Sequence, residues 1–331
     1  MVHVTTTDVA WRTHPGAKGW WRSRFLIGDE EVSATKRGFR TGDANLQRRL
    51  ETIGRAFLGG YAAGLLEDDV GAASARLCDS PPDLRGFAFE GAAMGAAVAD
   101  ALTFRRARLP AWISANDGRF TYLSHVGAGW ALARLPFRRR EILGSLDPVH
   151  HWLAFDGCGF HDAYFYPRRV LSGWRRVRSG YKSSVYDQGI GRALWFLGGG
   201  DLHWAADWIE RANAVRRSCL WAGLGLAVTY AGGASAEDLR ALRLRAGAFA
   251  DDLGQGAAFA AAAHAHAGWI PEHARLAAIA ITGRDPEALS GLVRATRGAL
   301  PSKETAPTPR YERWRCAVRD ALIGGPEVPR T

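Results

Sequence analysis

The chain has 331 residues, of which 47% are apolar, and a formal charge of +10. That is enough apolar material for a large buried core, and no apolar run approaches the roughly 18 residues needed to cross a bilayer, so neither a disordered chain nor stable membrane insertion is expected. The charge does not point to nucleic acid: all but four of the 43 basic residues are arginine in an Ala- and Gly-rich chain. The runs Arg138-Arg139-Arg140, Arg168-Arg169 and Arg175-Arg176-Val177-Arg178 therefore read as solvated helix ends and connectors.

Residues 1–40 show no helical period, and His14-Pro15-Gly16, Gly19-Trp20-Trp21 and Gly28-Asp29-Glu30 predict an irregular arm or short hairpin, with Trp20 and Trp21 covering an exposed end of the helical array. From Asn45 the spacing of Leu46, Leu50, Ile53, Phe57 and Tyr61 predicts an amphipathic helix. Further helices are predicted over 69–77, 86–103, 118–134, 184–197, 202–212, 214–231, 236–249, 251–267, 272–281, 285–297 and 309–322, with stops at Pro81-Pro82, Pro110, Pro148, Pro167, Gly198-Gly199-Gly200, Gly232-Gly233, Gly268 and Gly283. Period-2 alternation is scarce, so strand content should be low. Residues 41–325 read as a single α-helical repeat domain. Cys78, Cys158, Cys219 and Cys316 are far apart with no C-x-x-C, which fits reduced thiols and a cytoplasmic location. The start of the chain has no signal-peptide apolar region.

A glycine pattern recurs six times at intervals of 30 to 36 residues, with anchors Gly91, Gly127, Gly157, Gly189, Gly223 and Gly256, and with Gly60 as a weaker copy one period earlier. Such a period is one helix–turn–helix unit. The predicted fold is therefore all-α: tandem helical hairpins of about 33 residues, forming a toroid or superhelix around a central pocket. Four residues after the anchor stand Gly95, Ala131, Ala193, Ala227 and Ala260, again small. Glycine inside a helix costs about 0.5–1 kcal/mol relative to Ala, so the run implies inner helices squeezed between neighbours on both sides. His161 breaks the pattern.

Several of these copies, Phe87-Ala88-Phe89-Glu90-Gly91-Ala92-Ala93-Met94, His125-Val126-Gly127-Ala128-Gly129-Trp130-Ala131, Trp152 through His161 and Tyr186-Asp187-Gln188-Gly189-Ile190-Gly191-Arg192-Ala193-Leu194, resemble an uncharacterised bacterial family. Its members are encoded in actinobacterial natural-product clusters, often beside enediyne polyketide synthases. The resemblance covers about residues 38 to 270. It implies a role in specialised metabolism, processing a linear polyene into a reactive core, and carries no catalytic assignments.

Glu90, His125, Asp156, Asp187 and Gln188 stand one or two positions before an anchor, so equivalent ends of successive helices should bring them around one mouth, with His161 a turn later. Glu90, His125, Asp156, His161 and Asp187 are the candidate catalytic groups. Phe89, Trp130, Phe155, Phe160, Tyr186, Gln188 and Trp221 are the candidate substrate-binding walls. Carboxylates and imidazoles partly removed from water, among aromatic rings, suit proton transfer on an apolar small molecule. No cofactor is predicted; a divalent metal held by Glu90, His125, Asp156 and His161 is the minor alternative. The G-x-G pairs follow no strand and are not dinucleotide fingerprints, and the family context suggests a partner enzyme of the same pathway. Two other classes compete with an acid/base enzyme. One is a terpene-cyclase-like carbocation cyclase, although D-D-x-x-D and D-x-D-D are absent. The other is a non-catalytic helical-repeat scaffold or metabolite-binding protein.

Overall fold

The computed structural model describes residues 22–303 and 307–323; Trp20 and Trp21 lie outside them. After two 3-10 turns comes α1 (Ala34–Arg37), and from α2 (Ala44–Leu66) onward long and short helices alternate. They are α3 (Val70–Cys78), α4 (Pro82–Thr103), α5 (Arg108–Ser114), α6 (Thr121–Arg134), α7 (Arg139–Leu143), α8 (Leu153–Phe165), α9 (Pro167–Leu171), α10 (Tyr181–Leu197), α11 (Leu202–Arg211), α12 (Ala214–Ala231), α13 (Ala236–Ala246), α14 (Ala250–His266), α15 (Glu272–Thr282), α16 (Pro286–Gly298) and α17 (Arg310–Ile323). No strand occurs among the described residues, so the expected all-α class is what forms. Five helices escape the periodicity reading. α1 falls in the arm read as irregular or a short hairpin, and it, α5, α7 and α9 are too short to show a period; α8 is buried on all sides from Leu153 to Ala163, which removes amphipathic contrast.

The even-numbered helices from α2 to α16 pack each against the next as an inner row, and the short odd-numbered ones return the chain outside it. The glycines explain how the row forms. A Cβ on Gly127 would lie 2.0 Å from the carbonyl oxygen of Glu90, on Gly157 2.0 Å from that of Val126, on Gly189 1.9 Å from that of Asp156, on Gly223 2.0 Å from that of Gln188, and on Gly256 1.9 Å from that of Ala222. Each oxygen belongs to the residue immediately before the preceding anchor. The glycine two residues on turns to the following helix instead: Gly129 meets the carbonyl of Ala154, Gly159 that of Tyr186, Gly191 that of Leu220 and Gly225 that of Leu253, three residues before the next anchor in every case.

One register thus repeats from interface to interface, with backbone touching backbone on both faces, close enough for Cα–H···O contacts. Gly60 meets the carbonyl of Ala88, three residues before Gly91. It is therefore a second glycine and not an anchor; the anchor position of α2 is Leu58. Gly91 meets Phe57 and Gly95 meets Tyr61, so contacts advance together along both helices and the inner helices run parallel.

The row curls back on itself. Arg49, near the start of α2, donates from Nε to the carbonyl of Ala231 at the end of α12 (2.7 Å), and Phe87 of α4 packs edge-on against Tyr230 of α12 at 5.1 Å. The last helix then covers the inward face. From α17, Arg315 Nε donates to Gln255 Oε1 (3.2 Å) and Trp314 Nε1 to the carbonyl of Val293 (3.0 Å), while the Trp314 ring stands edge-on to Phe259.

Candidate active site

Counted from the anchor, positions −4, −1, +3 and +7 lie on one face of a 3.6-residue helix, and in the inner row that face looks inward. At +3 stand Met94, Trp130, Phe160, Arg192, Leu226 and Phe259. All are apolar except Arg192, which is buried in the middle of the molecule. At −1 stand Glu90, Val126, Asp156, Gln188, Ala222 and Gln255, so two carboxylates and two amides share the level below the guanidinium.

Of these polar groups, Glu90, Asp156, Gln188 and Arg192 form one buried cluster. Arg192 Nη1 donates to Asp156 Oδ1, and Gln188 Nε2 donates to Asp156 Oδ2 (2.8 Å) while lying 3.5 Å from the Tyr311 hydroxyl. On the other side, Arg192 Nη2 stands 3.8 Å from Glu90 Oε2, beyond hydrogen-bond reach. Trp130 Nε1 donates to Glu90 Oε1 (3.0 Å), and Oε2 has no hydrogen-bond partner. Burial pushes the Glu90 carboxyl up from 4.5 to about 7; Arg192 and the Trp130 hydrogen bond hold it back, and the Asp156 charge adds to the rise. Arg192 is also buried, yet the carboxylates of Asp156 and Glu90 keep it above its ordinary value and charged. Burial likewise raises Tyr311 to about 12.

An apolar cavity of about 50 Å³ adjoins each side of Arg192. The first is walled by Leu50, Ile53, Phe57, Phe87, Trp130 and Phe160, with the half-buried Tyr164 and Phe165 at its rim, and Glu90 is in its wall. Trp130 lies 4.4 Å from the Phe57 ring and 5.2 Å from the Phe160 ring. The second is bounded by Leu123, Val126, Leu226, Phe259, Tyr311 and Trp314, with Asp156 in its wall. The charged cluster separates the two.

The sequence profile of the family described as proteins of unknown function, DUF1702, matches residues 18–322. The chain belongs to that family. No curated protein and no solved structure matches the chain. The DUF1702 match extends the resemblance of residues 38 to 270 at both ends and takes in α17, the helix that seals the inward face.

Of the residues selected from sequence, Glu90, Asp156 and Gln188 meet in the cluster, and Trp130 and Phe160 wall the first cavity. The others stand elsewhere. His125 and Asp187 occupy position −2, about 100° around the helix from −1, and face the connectors. His125 Nδ1 is 2.7 Å from the carbonyl of Thr121, Nε2 accepts from the Asp147 amide (3.2 Å), and burial together with the nearby His150 lowers its pKa to about 4. Asp187 is gripped by Arg216 (2.9 Å) and Arg175 (3.0 Å). Burial raises its pKa against the pull of both.

Phe89, Phe155 and Trp221 are also −2 residues. Phe89 stacks on Phe120 at 4.1 Å, Phe155 packs against Trp152, and Trp221 is buried in the core. Tyr186, at −3, donates its hydroxyl to Asp162 Oδ2 (2.8 Å).

His161 lies beside α6, edge-on to Trp130 at 5.7 Å, so the space filled by a small residue in other units is taken here by an imidazole. Its Nδ1 meets Asp162 Oδ1 (3.1 Å), Asp162 is held by Arg176 (2.7 Å), and burial lowers the imidazole pKa against the pull of Asp162. Among the described residues no three His, Cys, Asp or Glu side chains converge to hold a metal ion, so Glu90, His125, Asp156 and His161 do not form the four-residue set.

Arg192 and Tyr311 were not among the residues selected from sequence. Arg192 was legible: it is the one charged residue at +3 in the repeat. Tyr311 was not, because α17 lies outside the repeat and nothing local tells where it docks.

Proposed function

We propose that this protein is an acid/base enzyme of specialised metabolism that acts on a slim apolar polyene held in the first cavity, with Glu90 as the proton-transfer group. The observation that carries this is the Glu90 carboxyl: fully buried in an apolar wall, oriented through Oε1 by Trp130, with Oε2 unpartnered and a pKa of about 7. A carboxyl so poised can protonate an alkene carbon and take a proton back from the neighbouring position. The net result is isomerisation or ring closure, with atoms conserved and no co-reactant. Arg192 keeps the ionised form accessible, and Asp156 with Gln188 fixes Arg192 in place.

The small apolar volume favours a slim hydrocarbon chain, and entry displaces the Tyr164 and Phe165 rings in the cavity wall. The family resemblance supports a polyene or enediyne-type precursor and a partner enzyme that supplies it. A carbocation cyclase is the second reading, favoured by the aromatic wall of Phe57, Trp130 and Phe160. The permanent charge of Arg192, 5.1 Å over the Phe160 ring, weighs against a long-lived cation there. A peptide-binding scaffold fits less well, because α17 occupies the inward face such proteins leave open.

The purified protein should bind the methyl ester of trans-parinaric acid, a linear tetraene, with a rise in its fluorescence, and Ile53→Trp, which fills the first cavity, should abolish that rise. Glu90→Gln should retain binding, yet cells carrying it in place of the native gene should accumulate an unprocessed apolar precursor. A metabolite profile unchanged by Glu90→Gln would overturn the proposal.

A further inference from the structure

Three consecutive inner helices carry an exposed aromatic ring at or just beyond their C-terminal ends. The C-cap of α4 is Phe104, the C-cap of α8 is Tyr166, and Phe137 follows the end of α6. These rings are 80%, 44% and 75% exposed. Phe104 also adopts the left-handed backbone region (φ 57°), which a bulky residue occupies only at a cost of order 1 kcal/mol. A Gly or Asn there would relieve that strain. Neither core packing nor capping chemistry calls for phenylalanine.

Around the rings the charge is mostly positive. Arg138 lies 4.2 Å over Phe104 and 6.0 Å over Phe137, so two solvent-facing rings flank one guanidinium. Arg105, Arg106, Arg134, Arg168 and Arg169 are exposed beside them, with Glu141, 3.6 Å from Arg138, as a counter-charge. An arginine near each helix C-terminus is accounted for by the helix dipole; aromatic side chains standing in water are not. The patch is continuous with the cavity rim, since Arg134 stacks on Phe165 at 4.7 Å.

We propose that this end of the helical row docks on an anionic lipid bilayer, with Phe104, Phe137 and Tyr166 entering the interface and the arginines meeting the headgroups. Aromatic rings beside guanidinium groups are the side-chain set suited to that boundary, where one end is apolar and the other charged. The three ring-bearing ends are spread over separate helices, and of the three rings only Phe104 lines the small pocket between Arg105, Arg106 and Arg138, so the rings share no common groove, which fits a broad surface better than a peptide. No described helix is long and apolar enough to cross a membrane, so the contact is peripheral. The docking surface stands on its own geometry. Only its purpose, passing a lipid-dissolved apolar molecule to the rim at Phe165, rests on the reading of the cavity.

Flotation of the full chain with vesicles of phosphatidylcholine, alone or mixed with phosphatidylglycerol, tests this without any cavity ligand. Binding is expected only to the mixed vesicles and should be lost at high salt. The double variant Phe104→Asn with Phe137→Ser should weaken it by about tenfold or more, and Arg105→Gln with Arg106→Gln should weaken it as well. Both sites are exposed, and Asn tolerates the left-handed backbone, so circular dichroism should show folded variants. Failure of the native protein to float with mixed vesicles, equal binding to both vesicle types, or unchanged binding by the folded Phe104→Asn/Phe137→Ser variant would overturn the proposal. None of these outcomes bears on whether Glu90 is an acid/base group.

Discussion

Two sets of buried polar residues sit one position apart on the inner helices. The −2 groups His125 and Asp187 face the connectors, and their polar atoms are matched by dedicated partners, Thr121 and Asp147 for one and Arg175 and Arg216 for the other. The −1 groups Glu90 and Gln188 face the interior, and each keeps an oxygen with no hydrogen-bond partner, Oε2 and Oε1 respectively. Buried polar groups are ordinarily satisfied, so the second set is where the fold leaves capacity unused. His161 is the intermediate case: Nδ1 is engaged by Asp162 while Nε2 is unpartnered, though no described cavity opens onto it.

That contrast can be broken at three levels, and the largest effect comes from the glycine register that creates both faces. Gly189→Leu places a side chain where even a Cβ lies 1.9 Å from the Asp156 carbonyl, a backbone atom with nowhere to go. Overpacking costs about 1–3 kcal/mol at adaptable sites and more here, so the variant should fail to give a cooperative melt; a native-like melting curve would contradict the register.

Next in size is the structural pairing at −2. Asp187→Ala leaves two largely buried guanidinium groups without their carboxylate and should cost about 4 kcal/mol, measured by urea unfolding. Tetraene-ester binding by the folded fraction should be unchanged. A normal stability with lost binding would move Asp187 from the frame to the site.

The smallest effect, and the one specific to −1, is the pH dependence at Glu90. Its pKa is raised on folding, from 4.5 to about 7, so the folded state holds the proton more tightly and the stability from protonated Glu90 is complete below about pH 4.5. It is lost as pH rises through about 7. Glu90→Gln does not titrate and should therefore gain on the native protein by roughly 3 kcal/mol between those limits. A constant difference across that range would show that Glu90 is not buried in the way described.

Much of the fold could be read from the chain because glycine spacing is a direct record of helix contact. The anchors predicted inner helices squeezed on both sides, and each anchor and second glycine meets a different neighbour. The candidate site was half legible. Treating positions −1 and −2 as one class merged faces about 100° apart, which grouped His125 and Asp187 with Glu90 and Asp156. Applying the repeat consistently would have separated them and would have exposed Arg192 among Trp130, Phe160 and Leu226. What no local pattern could supply is the contact of α17 with Gln188 and Gln255, or the meeting of Phe104 with Phe137 over Arg138, since these depend on helix ends distant in sequence.

The central claim is that Glu90 titrates as a buried, under-partnered acid in an apolar wall. Carbon-13 NMR of side-chain-labelled glutamate, with the Glu90 resonance assigned by its absence in Glu90→Gln, follows that carboxyl directly through a pH titration. A midpoint of about 7 is predicted; an ordinary glutamate midpoint of about 4.3 would contradict the account.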